Sequence, residues 1–351
     1  MRIRDIEIKN FRCFKSQRLT DLRRVNVIVG ENGSGKTSLM EAIFLVGGNS
    51  PELTLRMRAQ RGLGDTVLVN QDRKVTDEIW RDLFFDLDMS SPILITITDS
   101  EGPSRSVVVG RPGSGAATIV PLNGKPSLTV PIEFTWSVGD RPSTAGVKLT
   151  PEGLVLGLAA GADVLPISYF YSTVSAAAPS EAAARYSELS KQNREDDFLK
   201  SLKQLFPFVQ RLSTETNAGV VMLYAKIYGL SPKIPLAVVS QGVNKLVQLL
   251  LGIEVARKGA VLVDELEDGI YFKHLPKVWA CLLESARRAD AQLFISTHSG
   301  ECLAALRDVI RGKENDFALI RTERLADGGS ALKQFSGVQL EAALNQEIEI
   351  R

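Results

Sequence analysis

The segment Gly30-Glu31-Asn32-Gly33-Ser34-Gly35-Lys36-Thr37 has the spacing G-x-x-x-x-G-K-[ST]; it follows the apolar run Val25 to Val29 and precedes Leu39, Ile43 and Val46 at helical spacing. Strand, glycine loop and helix in this order suit a nucleoside triphosphate. Glycines accept the dihedrals that turn backbone N–H groups inward, and the helix N-terminus adds positive potential. In this reading Asn32, Gly33, Ser34, Gly35, Lys36, Thr37 and Ser38 bind the nucleotide, ATP. Lys36 reaches the β- and γ-phosphates, and the Thr37 hydroxyl holds Mg²⁺. The plainer alternative is a glycine-rich turn with no ligand, and the match of both consensus and flanks argues against it.

Three further groups bear on the same chemistry. Ala260 to Val263 is an apolar strand ending in Asp264-Glu265. A carboxylate there can coordinate Mg²⁺, assigned to Asp264, and its neighbour Glu265 can act as general base on the attacking water. Glu267 and Asp268 read as solvated turn residues. Leu293 to Ser296 is a third apolar strand, followed by Thr297-His298-Ser299; His298 is a candidate hydrogen-bond donor to the γ-phosphate, or else a structural histidine at a strand end. Ser240-Gln241-Gly242 opens a helix expected over about 243–257. It forms a second anion-binding helix start, pointing to a phosphate supplied by another copy of the chain, with Ser240 as an ordinary N-cap the even-handed alternative.

The elements that must position these residues form an α/β pattern. Ile3, Ile6 and Ile8 alternate with charge, then a buried strand leads into the glycine loop. From about 65 to 175 short β-rich pieces such as ILITIT, SVVVG and PISYFYSTV are separated by Gly, Pro and Ser clusters including RPGSG, which predicts an antiparallel subdomain. A helical stretch from Ser180 to Phe208 and the strand VVMLYAKIYG follow, and strand and helix alternate afterwards. The expected architecture is one head over 1–351 with a mixed, mainly parallel central sheet. Its nucleotide-binding core comprises 1–64 and 231–351, its β-rich subdomain 65–175, and its helical and strand insertion 176–230.

Bulk properties bound the function. The net charge of +1 excludes a surface dominated by nonspecific nucleic-acid binding. The three cysteines lack C-x-x-C spacing, so a reduced, cytoplasmic chain is expected, and no apolar run approaches the ~20 residues that span a bilayer. Arg2, Arg4, Lys9, Arg12, Lys15, Arg18, Arg23 and Arg24 make the N-terminus locally basic, as Arg56, Arg58 and Arg61 do a second stretch; each could be a phosphate-contacting face or a charged strand edge. Asn244-Lys245 is followed by Leu246-Val247, so the Asn-Lys-x-Asp segment that reads guanine is missing.

IEIKNFRCF, GENGSGKTSL, SQGVNKL, VLVDELEDGI and ISTHSGECL together resemble the ATPase heads shared by structural-maintenance-of-chromosomes (SMC) proteins, RecF-type recombination mediators and overcoming-lysogenization-defect (OLD) ATPases. Compact OLD-like proteins look most similar. The resemblance implies a P-loop ABC-type head and an ATP-sandwiched homodimer or higher homo-oligomer, with Ser240 and Gly242 closing on the partner's nucleotide and Arg12 approaching nucleotide. No heptad arm interrupts the chain, and about fifty residues beyond His298 are too few for a Toprim nuclease domain. The expectation is therefore an ATPase controlling a separate nuclease or toxin in anti-phage defence. The alternatives are a RecF-like DNA clamp and, less well matched to the signature, a transporter cassette.

Overall fold

The computed structural model describes residues 2–63, 78–99, 102–111, 119–122, 125–150, 153–170, 179–346, 348 and 350. The central sheet contains β3 (Val25–Val29), β10 (Ile167–Phe170), β14 (Ala260–Val263), β15 (Gln292–Ser296), β16 (Phe317–Arg324) and β17 (Ser330–Ser336), in the order β10-β14-β15-β3-β16-β17. All neighbours are parallel except β16 and β17. β3, β14 and β15 are apolar along nearly their whole length because every residue in them is buried, as a parallel sheet covered on both faces demands.

The pleat sorts these residues into two cores. Val25, Val27, Val29, Val261, Val263, Leu293 and Ile295 face helices α3 (Pro179–Lys191), α4 (Glu195–Leu205), α5 (Gln241–Val255) and α6 (Leu275–Ala289). Ile28, Ala260, Leu262, Phe294 and Ile320 face the opposite way, onto α1 (Lys36–Val46), which α2 (Glu52–Gln60) follows in the chain. That alternation is the two-residue period of a strand. Beyond α1 lies an antiparallel sheet of β1 (Ile3–Phe11), β2 (Phe14–Leu19), β4 (Ile93–Asp99), β5 (Arg105–Gly110), β6 (Ile119–Leu122), β7 (Lys125–Val138), β8 (Arg141–Thr150) and β9 (Gly153–Leu156), in the order β2-β1-β4-β5-β7-β8-β9 with β6 on β7. A third sheet joins β11 (Val209–Asn217), β12 (Val220–Ile227) and β13 (Ile234–Pro235).

Sheet membership differs from the boundaries expected at 64/65 and 175/176. β1 pairs with β4, so the first strands belong to the antiparallel sheet, whereas β10 pairs in parallel with β14 and edges the core. Both pairings span long stretches of chain, so a local pattern of alternation carries no trace of them. The insertion is also less separate than expected, since Tyr186, Leu189, Phe198 and Leu202 share one core with Val27 and Val263. β16 and β17 went unread, although β16 lies directly beside β3. The RPGSG cluster lies largely outside the described residues, as does the YSTV end of PISYFYSTV.

The antiparallel sheet fastens the helix that carries the glycine loop. α1 ends in carbonyls with no intrahelical donor. Buried Arg105 donates to Val46 O and Gly48 O, each at 2.7 Å, and the Trp136 indole donates to Leu45 O at 3.0 Å. Arg105→Met would strand two buried carbonyls and is expected to lower the unfolding free energy by about 2–4 kcal/mol. Urea denaturation followed by tryptophan fluorescence measures this, and a loss under about 0.5 kcal/mol would reject the anchoring role.

Candidate functional site

The glycine loop leaves the carboxyl end of β3. Gly30, Gly33 and Gly35 have φ of 139°, 76° and 110°, a region closed to most side chains. A Cβ on Gly30 would lie 2.3 Å from Thr322 O, and one on Gly35 would lie 2.8 Å from Cys13 Sγ. Glycine is therefore needed for space as well as for dihedral freedom. Thr322, on the unread strand β16, braces the loop: its hydroxyl is 2.5 Å from Ser34 Oγ and donates to Val29 O at 3.1 Å. Lys36 bends back over the loop, with Nζ donating to Gly30 O at 2.7 Å and Glu31 O at 3.0 Å. Burial pulls its ammonium below the usual lysine range, while Asp264, Glu265 and Glu267 pull the other way. Asn32 and Gly33 are exposed at the rim and Ser38 is buried in the first turn of α1.

β15 lies between β14 and β3, so the acidic strand reaches the loop across one intervening strand. Thr37 Oγ1 donates to Asp264 Oδ2 at 2.8 Å. Ser296, fully buried at the end of β15, donates to Asp264 Oδ1 at 2.5 Å and accepts the Glu265 N–H at 2.8 Å. A hydroxyl and a carboxylate this close form a hard oxygen donor pair of the kind Mg²⁺ takes, leaving its other positions to water and phosphate. Glu265 has a left-handed backbone, φ 50°. Burial and the neighbouring carboxylates of Asp268 and Asp264 raise its carboxyl above the ordinary range, which makes it the stronger proton acceptor.

His298 joins this group, its Nδ1 lying 3.5 Å from Glu265 Oε1 and 3.3 Å from Glu267 Oε1. Glu267 is no solvated turn residue: its side chain is only 12% exposed, and Oε1 accepts the N–H groups of His298 and Ser299, each at 3.0 Å. Its partners stand thirty residues away on another strand end, which a local reading does not reach. Asp268 is half-buried, with its carbonyl hydrogen-bonded.

The fold thus gathers Lys36, Thr37, Asp264, Glu265 and His298. Among the described residues, no hydrogen bond or ion pair links Ser240, Gly242 or Arg12 to the glycine loop. Ser240 is exposed and caps α5 by accepting Val243 N–H at 3.2 Å. Gly242 faces the turn after the acidic strand, where a Cβ would lie 2.5 Å from Gly269 O. Arg12 donates to Asp82 Oδ2 at 2.8 Å and lies 3.3 Å from Glu41 Oε2. Glu41 also takes a bidentate pair of hydrogen bonds from Arg61, and Asp82 pairs with Arg58, so two of the second basic cluster serve internal ion pairs. Much of the N-terminal charge is likewise matched: Arg2 and Arg24 to Asp290, Arg4 to Asp5, Lys9 to Glu7, and Arg23 to Asp21. Sequence reasoning missed Ser296, Thr322 and Glu267; Ser296-Thr297, at the end of the apolar strand within ISTHS, was a local signal for the first.

Residues 1–133 match the family described as AAA ATPase domain, and 155–303 match the family described as AAA domain, putative AbiEii toxin, Type IV TA system. An ATP/GTP phosphatase of Helicobacter pylori is 23% identical over 349 residues, 90% of each chain. The DNA replication and repair protein RecF of Idiomarina loihiensis is 47% identical over 47 residues, 13% of each chain. The crystal structure of an Smc head bound to the C-winged helix domain of ScpA aligns with 98% of this chain and 100% of its own, at TM-score 0.52 and 17% identity. An Smc head with an extended coiled coil, bound to the C-terminal domain of ScpA from Pyrococcus furiosus, aligns with 99% of each chain at TM-score 0.51 and 15% identity. At such identities these two structures speak for the fold.

Ser296→Ala removes the hydrogen bonds that aim both acidic residues. It is expected to lower kcat for ATP about tenfold, or about 1.4 kcal/mol, while the Kd for ATP shifts less than about threefold. Steady-state hydrolysis and nucleotide titration read the two quantities separately.

Proposed function

We propose that this chain, a P-loop ATPase head of the SMC and RecF type with no coiled-coil arm among its described residues, is a hydrolysing switch that closes into a homodimer around ATP and governs a separate effector. The observation that carries the reading is the continuous hydrogen-bonded set Thr37, Asp264, Ser296 and Glu265 beside the glycine loop. In this reading Lys36 exchanges the carbonyls of Gly30 and Glu31 for the β- and γ-phosphates. Asn32 to Ser38 wrap the phosphates with backbone N–H groups and hydroxyls. Thr37 and Asp264 would hold Mg²⁺, which when bound neutralises developing phosphate charge. Glu265 takes the proton of the attacking water, and His298, steadied by Glu267, donates toward the γ-phosphate.

Dimerisation is supported by the surplus anion site at the start of α5. Ser240 is exposed there, and its hydroxyl is engaged only by its own helix among the described residues. Closing on a partner's γ-phosphate would make the dimer conditional on ATP, so hydrolysis would favour separation. No described helix is long and apolar enough to cross a membrane. For the effector, the description of the second matched family names a toxin–antitoxin system, which supports a toxin-type pairing, while the nuclease and the anti-phage role rest on the OLD-like resemblance. The RecF match over 47 residues supports a second reading, an ATP-dependent DNA clamp. Exposed Lys15 and Arg18 are the N-terminal cations left for DNA once the ion pairs are discounted.

Two experiments test the switch. Glu265→Gln is expected to reduce hydrolysis at least about a hundredfold and to accumulate an ATP-bound dimer by light scattering; turnover at the wild-type rate removes Glu265 as the base. Lys36→Ala and Ser240→Arg should each be inactive alone, yet regain hydrolysis when mixed, because one of the two shared sites is then intact; no recovery rejects a signature acting in trans. For the effector, plaque assays on cells carrying the native operon with and without Glu265→Gln distinguish defence from repair. Duplex binding that is ATP-dependent and falls steeply with salt favours the clamp.

A further inference from the structure

Lys245 lies in the second turn of α5, outside the glycine loop, the acidic strand and the Ser-x-Gly segment. Its ammonium nevertheless reaches the turn that follows the acidic strand. Nζ donates to the carbonyl oxygen of Glu265 at 2.7 Å and to that of Asp268 at 3.0 Å. Burial pulls its ammonium below the usual lysine range, and the negative charges of Asp268, Glu267, Glu265 and Asp264 pull the other way without cancelling it.

The Glu265 backbone needs such a grip. Its φ of 50° is left-handed, a conformation that strains any residue with a Cβ. Ser296 holds the N–H of this residue and Lys245 holds its C=O. The peptide planes on both sides are therefore tied, one to β15 and the other to α5, and the carboxylate direction follows from them. Gly242, three residues earlier on α5, packs so closely on Gly269 O that no Cβ fits between, so helix and turn meet as one body.

We infer that Lys245 is a positioning residue for hydrolysis: it fixes the Glu265 and Asp268 carbonyls to α5 and so holds the Glu265 carboxylate where it can take a proton from the attacking water. The inference rests on the reading of Glu265 as the general base. Lys245 touches neither the glycine loop nor the Thr37–Asp264 pair by any hydrogen bond among the described residues. Its contribution therefore falls on the chemical step and not on nucleotide affinity.

The test compares Lys245→Met, Lys245→Arg and Glu265→Gln in the full chain for kcat, KM for ATP, Kd for ATP and thermal melting. Lys245→Met is expected to lower kcat tenfold or more, equivalent to about 1.4 kcal/mol, with KM and Kd within about threefold. Lys245→Arg, which keeps charge and donors, is expected to restore kcat to within about threefold of wild type. If the Met variant does not fold, Lys245→Gln carries the same expectation of a kcat loss, about threefold or more, at unchanged KM. A Lys245→Met chain hydrolysing at the wild-type rate, while Glu265→Gln is inactive, overturns the inference and leaves the base assignment standing. So does a loss of ATP affinity that matches the loss of kcat and is not rescued by arginine, since that is the mark of a merely structural residue. Wild-type turnover by Glu265→Gln instead removes the base assignment itself, and the positioning role with it.

Discussion

The hydrogen-bond chain from Thr37 through Asp264 to Ser296 and the Glu265 amide is the interaction on which the site depends. It crosses three neighbouring strand ends, β3 with its loop, β15 and β14. Its side chains are short and polar and meet at the carboxyl edge of a sheet whose strands are otherwise buried and largely apolar. Such groups are costly to bury alone and cheap to bury together. Mutual satisfaction therefore sets where the strands may sit, and the same atoms face the space where phosphate and cation would lie.

Around this chain the fold supplies stiffness from two sides. β16 presses Thr322 against Gly30 and Ser34, limiting the shapes open to the glycine loop. The antiparallel sheet clasps the far end of α1 through Arg105 and Trp136, so the helix is fixed at both termini. A phosphate cradle needs its N–H groups aimed before the ligand arrives, because ordering them on binding would cost affinity. The β-rich region thus has a mechanical part to play although none of the gathered residues Lys36, Thr37, Asp264, Glu265 and His298 comes from it.

Charge is partly offset within the same small volume. Asp264, Glu265, Glu267 and Asp268 bring negative charge into a partly dehydrated turn, and Lys36 and Lys245 approach it from opposite elements, the glycine loop and α5. Lys36 is held by carbonyls that a triphosphate could replace, whereas Lys245 holds carbonyls of the acidic turn itself. One lysine is thus suited to meet the nucleotide and the other to keep the turn in shape. Further out, Arg12, Arg58 and Arg61 share Asp82 and Glu41, and basic residues from two stretches of sequence become a set of internal pairs.

The glycine loop, Asp264-Glu265 and His298 were legible in sequence because their chemistry is contiguous: an anion cradle or a strand-end carboxylate is built from residues adjacent in the chain, and their order is itself informative. The apolar runs of β3, β14 and β15 were legible for the same reason, since burial on both faces leaves a local mark. Tertiary structure alone decided that β1 pairs with β4, that β10 edges the core and that β16 flanks the loop. It alone also turned Glu267 inward to His298 and set Ser296 and Lys245 on either side of Glu265. Strand pairing and the capture of a backbone group twenty or more residues away depend on which surfaces meet in space. A serine or a lysine reads alike in sequence whether it faces water or grips a strained turn.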